Sequence, residues 1–190
     1  MKRVYLDTNL ILSPFRPKDE NFQMMKIITK QNNLQFVTGT ITLVEIVSVL
    51  IREKELFNNG LSLLGRRKKF EKLVLLPIET QLSLYIDYLL RFFNIDLLED
   101  DSPELSTFGG KKIKISSQYK LIINKPLITK LRTLDLLHYN TTRYYSRIKG
   151  QKIDYLVTGD TQFQKMREDL KIESDTVIVS PETFIQLECS

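Results

Sequence analysis

The sequence predicts an α/β protein in which a mostly parallel central sheet lies between helical layers. Short apolar runs alternate along the chain with longer segments whose apolar residues recur every three or four positions. Strands separated by helices imply crossover connections, and these place helices on the faces of a parallel sheet. The chain has 190 residues, 42% hydrophobic and 27% charged, which suits one substantial core. The expected organisation is a single domain over residues 1–190.

The elements follow in order. An apolar strand starts at Lys2, and its run extends to Leu12 before Pro14 and Pro17 end it. Residues 19–30 carry Phe22, Met25 and Ile28 on one helical face, with Asp19 placed to cap it. Residues 34–37 form a second strand, closed by Thr38-Gly39-Thr40. A helix then starts at Thr40 or Thr42 and runs to about Phe57, where Asn58-Asn59-Gly60 stops it. A further helix is expected over 61–72, a third strand over 73–78, and an amphipathic helix over 80–94.

Residues 96–104 read as acidic and irregular, broken by Pro103. Lys111-Lys112-Ile113-Lys114-Ile115 alternates like a strand and is expected to pair with residues 119–123 as a hairpin across Ser116-Ser117-Gln118. The regular pattern resumes with a helix over about 129–149, a strand over 153–157 and a short helix opening at Asp160. A last strand covers 176–179, and Pro181-Glu182 starts a final helix. The insert at about 96–128 is too long for an ordinary loop, which marks it as functional or unstructured.

Composition narrows the function classes. One cysteine, Cys189, excludes an intrachain disulfide framework and a multi-cysteine zinc site. A reducing, cytoplasmic setting is expected, and no apolar run is long enough to span a bilayer. Net charge is +5, concentrated unevenly. Residues 105–134 hold no acid and seven cations, among them Lys111, Lys112 and Lys114, and a second knot is Arg66-Arg67-Lys68-Lys69. Such clusters suit a polyanion such as RNA or DNA.

Four carboxylates interrupt apolar stretches: Asp7 in Val-Tyr-Leu-Asp-Thr-Asn-Leu-Ile, Glu45 in Leu-Val-Glu-Ile-Val, Asp135 in Leu-Asp-Leu-Leu-His, and Asp160 in Leu-Val-Thr-Gly-Asp-Thr. An ionised carboxylate buried without a partner is costly, and four converging on a divalent cation would resolve that cost. In parallel α/β sheets ligands bind beyond the carboxyl ends of the strands. Asp7 and Asp160 follow strands, while Glu45 and Asp135 sit early in helices that begin at that same rim. Ordinary roles are available too: a helix cap for Asp160, a first-turn acid for Asp135, a local turn for Asp7. Glu45 has the weakest ordinary explanation, with no cation beside it in the sequence. His138, one turn after Asp135, is expected to be a packing residue.

These motifs, in this order over nearly the whole chain, resemble the PIN domain family, and more closely its VapC-type toxin ribonucleases. The resemblance implies a three-layer α/β/α fold and an acidic quartet of Asp7, Glu45, Asp135 and Asp160 that binds Mg²⁺ or Mn²⁺. It implies Asn9 and Thr158 as supporting polar residues, RNA as substrate, a homodimer and a small antitoxin partner. Gln162 departs from the pattern, standing where the family often has an acid. Hydrolysis would use a metal-activated water and leave a 5′-phosphate and a 3′-hydroxyl. An aspartyl phosphatase needs an acid at position 9, where Asn9 stands, and a structure-specific DNA nuclease usually carries further acids and added helices. The alternative is a catalytically inactive module that binds nucleic acid or protein.

Overall fold

Strand β1 (Lys2–Leu6) sends Val4 and Leu6 to one side and Tyr5 to the other, and all three are fully buried. Burial on both faces is the signature of a central parallel strand. In a computed structural model, residues 1–16, 18–65, 75–100, 103–108, 110–124, 133–165 and 175–189 are described. β1 lies at the middle of a five-stranded parallel sheet with β2 (Leu34–Gly39), β3 (Ile95–Leu98), β6 (Tyr155–Val157) and β7 (Val177–Val179), in the order β3-β2-β1-β6-β7. The register sets Tyr5 opposite Val37 on one side and Leu156 on the other.

Two cores follow from this alternation. Val4, Leu6, Phe36, Ile95, Val157 and Val179 face a cluster completed by α1 (Thr8–Leu12), α2 (Asn21–Ile28), α3 (Thr40–Arg52), α4 (Lys54–Gly65), α5 (Ile78–Phe92) and α9 (Pro181–Glu188). Tyr5, Val37, Leu98, Leu156 and Ile178 face a second, aromatic cluster with Tyr139, Tyr144 and Tyr145 of α7 (Thr133–Arg147) and Phe163 of α8 (Thr161–Lys165). The result is the expected three-layer α/β arrangement. The chain steps outward from β1 to β2 and β3, then returns to the other side of β1 for β6 and β7. The order therefore reverses between β1 and β6, which is where such sheets bind ligands.

Several boundaries differ from the sequence expectation. The apolar run after Leu6 turns directly into α1, because the Asp7 carboxylate accepts the Thr8 N–H and caps the helix. The third sheet strand is β3, inside the stretch expected to be irregular. It is a four-residue edge strand carrying an acid, Asp96, which the Gln35 side chain engages at 2.8 Å. No strand starts at the end of the 73–78 run: Leu75 and Ile78 are exposed, and Ile78 opens α5. The expected helix from Thr40 to Phe57 breaks at Glu53, and α4 then runs straight through Asn58-Asn59-Gly60. The hairpin exists with a different partner. β5 (Lys111–Ile115) pairs antiparallel with β4 (Glu104–Phe108), while residues 119–123 belong to α6 (Ser117–Asn124). Gly110, at φ 79°, supplies the left-handed turn residue. Arg66, Arg67, Lys68 and Lys69 lie outside the described residues.

Gly60 carries a sharp packing constraint. A Cβ built there would fall 2.0 Å from the Tyr85 ring, which is itself fixed against Phe15 and Phe57. A helical Gly→Ala change ordinarily stabilises by about 1 kcal/mol. Here Gly60→Ala is expected to destabilise instead, by about 1–3 kcal/mol. A thermal melt should show a fall of roughly 2–12 °C, and an unchanged or raised melting temperature would contradict the close α4–α5 contact.

Candidate functional site

Asp7, Glu45, Asp135 and Asp160 line one cleft of about 280 Å³. Asp7 leaves the end of β1, and its N–H bonds to the Val157 carbonyl at 3.2 Å, so it sits against the end of β6. Asp160 follows β6 three residues later. Glu45 comes from the second turn of α3 and Asp135 from the first turn of α7. The two strands are neighbours at the reversal of strand order, and both helices begin at the same rim.

Asp7 is buried and held from several directions. Its Oδ1 accepts the Thr8 N–H at 2.6 Å, and its Oδ2 accepts the Asn9 amide at 2.9 Å and the Thr158 hydroxyl at 2.5 Å. Asn9 cannot turn over, because its Oδ1 accepts the Gly159 N–H at 3.2 Å. Thr158 accepts the Asp160 N–H at 3.0 Å, which ties the two loops together. Asp160 caps α8 through Oδ1, accepting from the N–H groups of Gln162 and Phe163. It therefore fills the ordinary capping role while its residue also lines the cleft. Gln162 is exposed.

Glu45 has a cation after all. His138 Nε2 lies 2.7 Å from its Oε2 and 3.5 Å from Asp7 Oδ1, and the Thr8 hydroxyl donates to the same Glu45 oxygen. His138 is 1% exposed, and its Nδ1 meets the Tyr5 hydroxyl at 2.8 Å. It is a polar bridge, not the packing residue expected.

The donor sense of the surrounding chain fixes the proton count on this ring. Thr38 Oγ1 donates to the Leu6 carbonyl, so the Thr42 hydroxyl, 2.7 Å away, donates to Thr38. The Tyr5 proton is then directed at Thr42, 3.4 Å away, and the Tyr5 oxygen accepts from Gly39 N–H and from His138 Nδ1–H. With Nε2–H donating to Glu45, both ring nitrogens carry protons and the ring is an imidazolium.

The charge states agree with this wiring. Burial alone would depress His138, but the Tyr5 oxygen, the bond to Glu45 and the two carboxylates hold it well above its usual value. Burial pushes Asp7 up, partly offset by His138 and the Thr158 hydroxyl. Burial also acts to raise Glu45, yet the hydrogen bond and charge of His138 and the bond from Thr8 outweigh it and leave it lowered. Two carboxylates in one site are thus driven in opposite directions.

Asp7, Glu45 and His138 offer ligand atoms within 4.8 Å of one another, a cluster that can hold a metal ion. The carboxylate oxygens are hard donors suited to an oxygen-seeking divalent ion. A cation there would compete with the His138 proton for the same negative charge.

Sequence reasoning missed three residues of this region. His138 had a usable signal, since it stands one helical turn from Asp135 on the same face. Arg52 had one too: Glu45, Ser48, Val49 and Arg52 recur at helical spacing, and all four line the cleft. Arg16, also in the lining, had none. None of Lys111, Lys112 and Lys114 lines it.

No family model matches the chain, and no curated protein matches it. A solved structure of VapBC2 from Rickettsia felis, bound to a DNA fragment from their promoter, matches 94% of this chain and 98% of its own. The identity is 13% and the TM-score 0.44. So distant a superposition carries no weight for function. Among the described residues no helix is long and apolar enough to cross a membrane.

Proposed function

We propose that the protein is a metal-dependent endoribonuclease, acting as the toxin of a toxin–antitoxin pair. The observation that carries this is the convergence of Asp7, Glu45, Asp135 and Asp160 on one cleft at the reversal point of a parallel sheet. The motif resemblance supplies the substrate class, and with it a homodimer and a small antitoxin that covers the site.

Asp7 and Asp160 would be the main ligands of Mg²⁺ or Mn²⁺, with Glu45 and Asp135 completing the set directly or through water. When bound, the ion supplies an activated water and neutralises charge developing on the phosphate. Asn9 and Thr158 keep the Asp7 carboxylate aimed by donating to its Oδ2. Lys111, Lys112 and Lys114, on an exposed hairpin, would add peripheral contacts to the RNA, as would Arg66, Arg67, Lys68 and Lys69.

A second reading, a binding module without catalysis, draws on one observation. The His138 imidazolium already compensates Asp7 and Glu45 with no metal required. The two readings separate in a single assay with single-stranded RNA in Mn²⁺ and in EDTA. Mn²⁺-dependent fragments bearing a 5′-phosphate and a 3′-hydroxyl are expected, with none in EDTA. RNA retention in both buffers without cleavage would overturn the enzyme and favour the binding module.

A further inference from the structure

The acid cleft opens onto a second, larger groove of about 820 Å³, bounded by the segment after α1 and by the α3–α4 junction. Arg16 and Arg52 line both cavities, so they stand at the passage between them. Arg52 ends α3, two turns after Glu45, and its Nε is tethered to the Ser48 carbonyl at 3.2 Å. Arg16 Nη2 pairs with the Glu53 carboxylate at 3.2 Å across an exposed gap. Such a solvent-facing pair is weak and exchanges readily for a stronger anion. Lys18 and Lys54 continue the cationic edge into the groove, whose acids are Asp19, Glu53 and Glu55.

A floor of four carboxylates repels a polyanion, so nucleic acid reaches it only if cations hold the chain at the entrance. Guanidinium groups match phosphate in shape and bond it in pairs. We propose that Arg16 and Arg52 grip the backbone phosphates of single-stranded RNA at this passage. The scissile phosphate is then presented to the acids, while the adjoining nucleotides run along the larger groove. Resting on the ribonuclease reading above, the assignment moves the main phosphate contacts from the lysines of the hairpin to two arginines beside the acids. Both arginines are positioning residues.

The test compares wild type, R16Q/R52Q, R16K/R52K and K111Q/K112Q/K114Q on single-stranded RNA with Mn²⁺ at several salt concentrations. In R16Q/R52Q, KM should rise about tenfold or more with little change in kcat, and the log–log salt slope of kcat/KM should shrink by about 1.4, near 0.7 for each phosphate released. The lysine pair should restore part of the slope, and the hairpin variant should lose less than the arginine variant. An unchanged KM and slope in R16Q/R52Q, or a larger loss in the hairpin variant, would overturn the assignment while leaving the ribonuclease intact. If wild type binds RNA without cutting it, the enzyme reading fails, and the same slope comparison by fluorescence anisotropy decides the arginines. A protein that neither cuts nor binds RNA ends both.

Discussion

Asp7→Asn is expected to reduce Mn²⁺-dependent RNA cleavage by about 10³-fold, the loss of several kcal/mol of charge stabilisation at the reacting phosphate. The reason lies in the wiring of the carboxylate. Asn9 and the Thr158 hydroxyl both donate to Asp7 Oδ2, and Asn9 cannot invert because Gly159 N–H occupies its oxygen. An asparagine amide nitrogen in the Oδ2 position would face a donor, and the opposite orientation would turn it toward Thr8 N–H. The substituted side chain is misdirected as well as uncharged. Stability should change far less than activity. Removing a carboxylate whose pKa is raised by burial offsets the lost acceptor, leaving a net effect within about 2 kcal/mol. Asp160→Asn is the companion variant, because asparagine keeps the α8 cap that Asp160 provides. A folded Asp7→Asn protein that cuts RNA at the wild-type rate would sink the metal-centre assignment.

The layered fold and the four acids were legible because each rests on a local pattern. Tyr5 between Val4 and Leu6, or Val37 beside Phe36, alternates faces as a buried parallel strand must, and Asp7 and Asp160 end such runs. The edges of the architecture were harder to read. β3 is four residues long and carries Asp96, so it offers no apolar run. The β4–β5 hairpin hides because residues 119–123 are as apolar as a strand yet are wound into α6. The break at Glu53 and the passage of α4 through Asn58-Asn59-Gly60 reflect packing of Gly60 on Tyr85, a long-range contact that overrides local stop signals. His138 was misjudged for a related reason: its partners Tyr5 and Glu45 lie 133 and 93 residues away, so no spacing rule finds them.

His138→Leu is expected to cost the metal-free protein about 3–5 kcal/mol, because it strips the shared cation from two part-buried carboxylates. That corresponds to a fall of roughly 6–20 °C in melting temperature. The Tyr5 oxygen would lose its donor at the same time, while the Thr42–Thr38–Leu6 chain beyond it survives. Adding Glu45→Gln should recover part of the loss, since it removes one of the unpaired charges, and the two effects should be strongly non-additive. The same bridge gives wild type a defined pH dependence in EDTA. The folded His138 value lies above its unfolded value of 6.5. Its contribution is therefore complete below that pH and is lost as pH rises through the raised folded value. Glu45, lowered from 4.5, contributes above that pH and loses its contribution as pH falls through the lowered value. Asp7, raised by burial from 3.8, has the opposite sign and softens the acid limb. Stability in EDTA should accordingly decline on the alkaline side in wild type and not in His138→Leu. Saturating Mn²⁺ should abolish that decline by replacing the imidazolium with a metal cation, adding about 2.7 kcal/mol at a hundredfold excess over its Kd. A wild-type alkaline limb that matches the leucine variant would mean that His138 is neutral, and that Asp7 and Glu45 are held apart by something other than its charge.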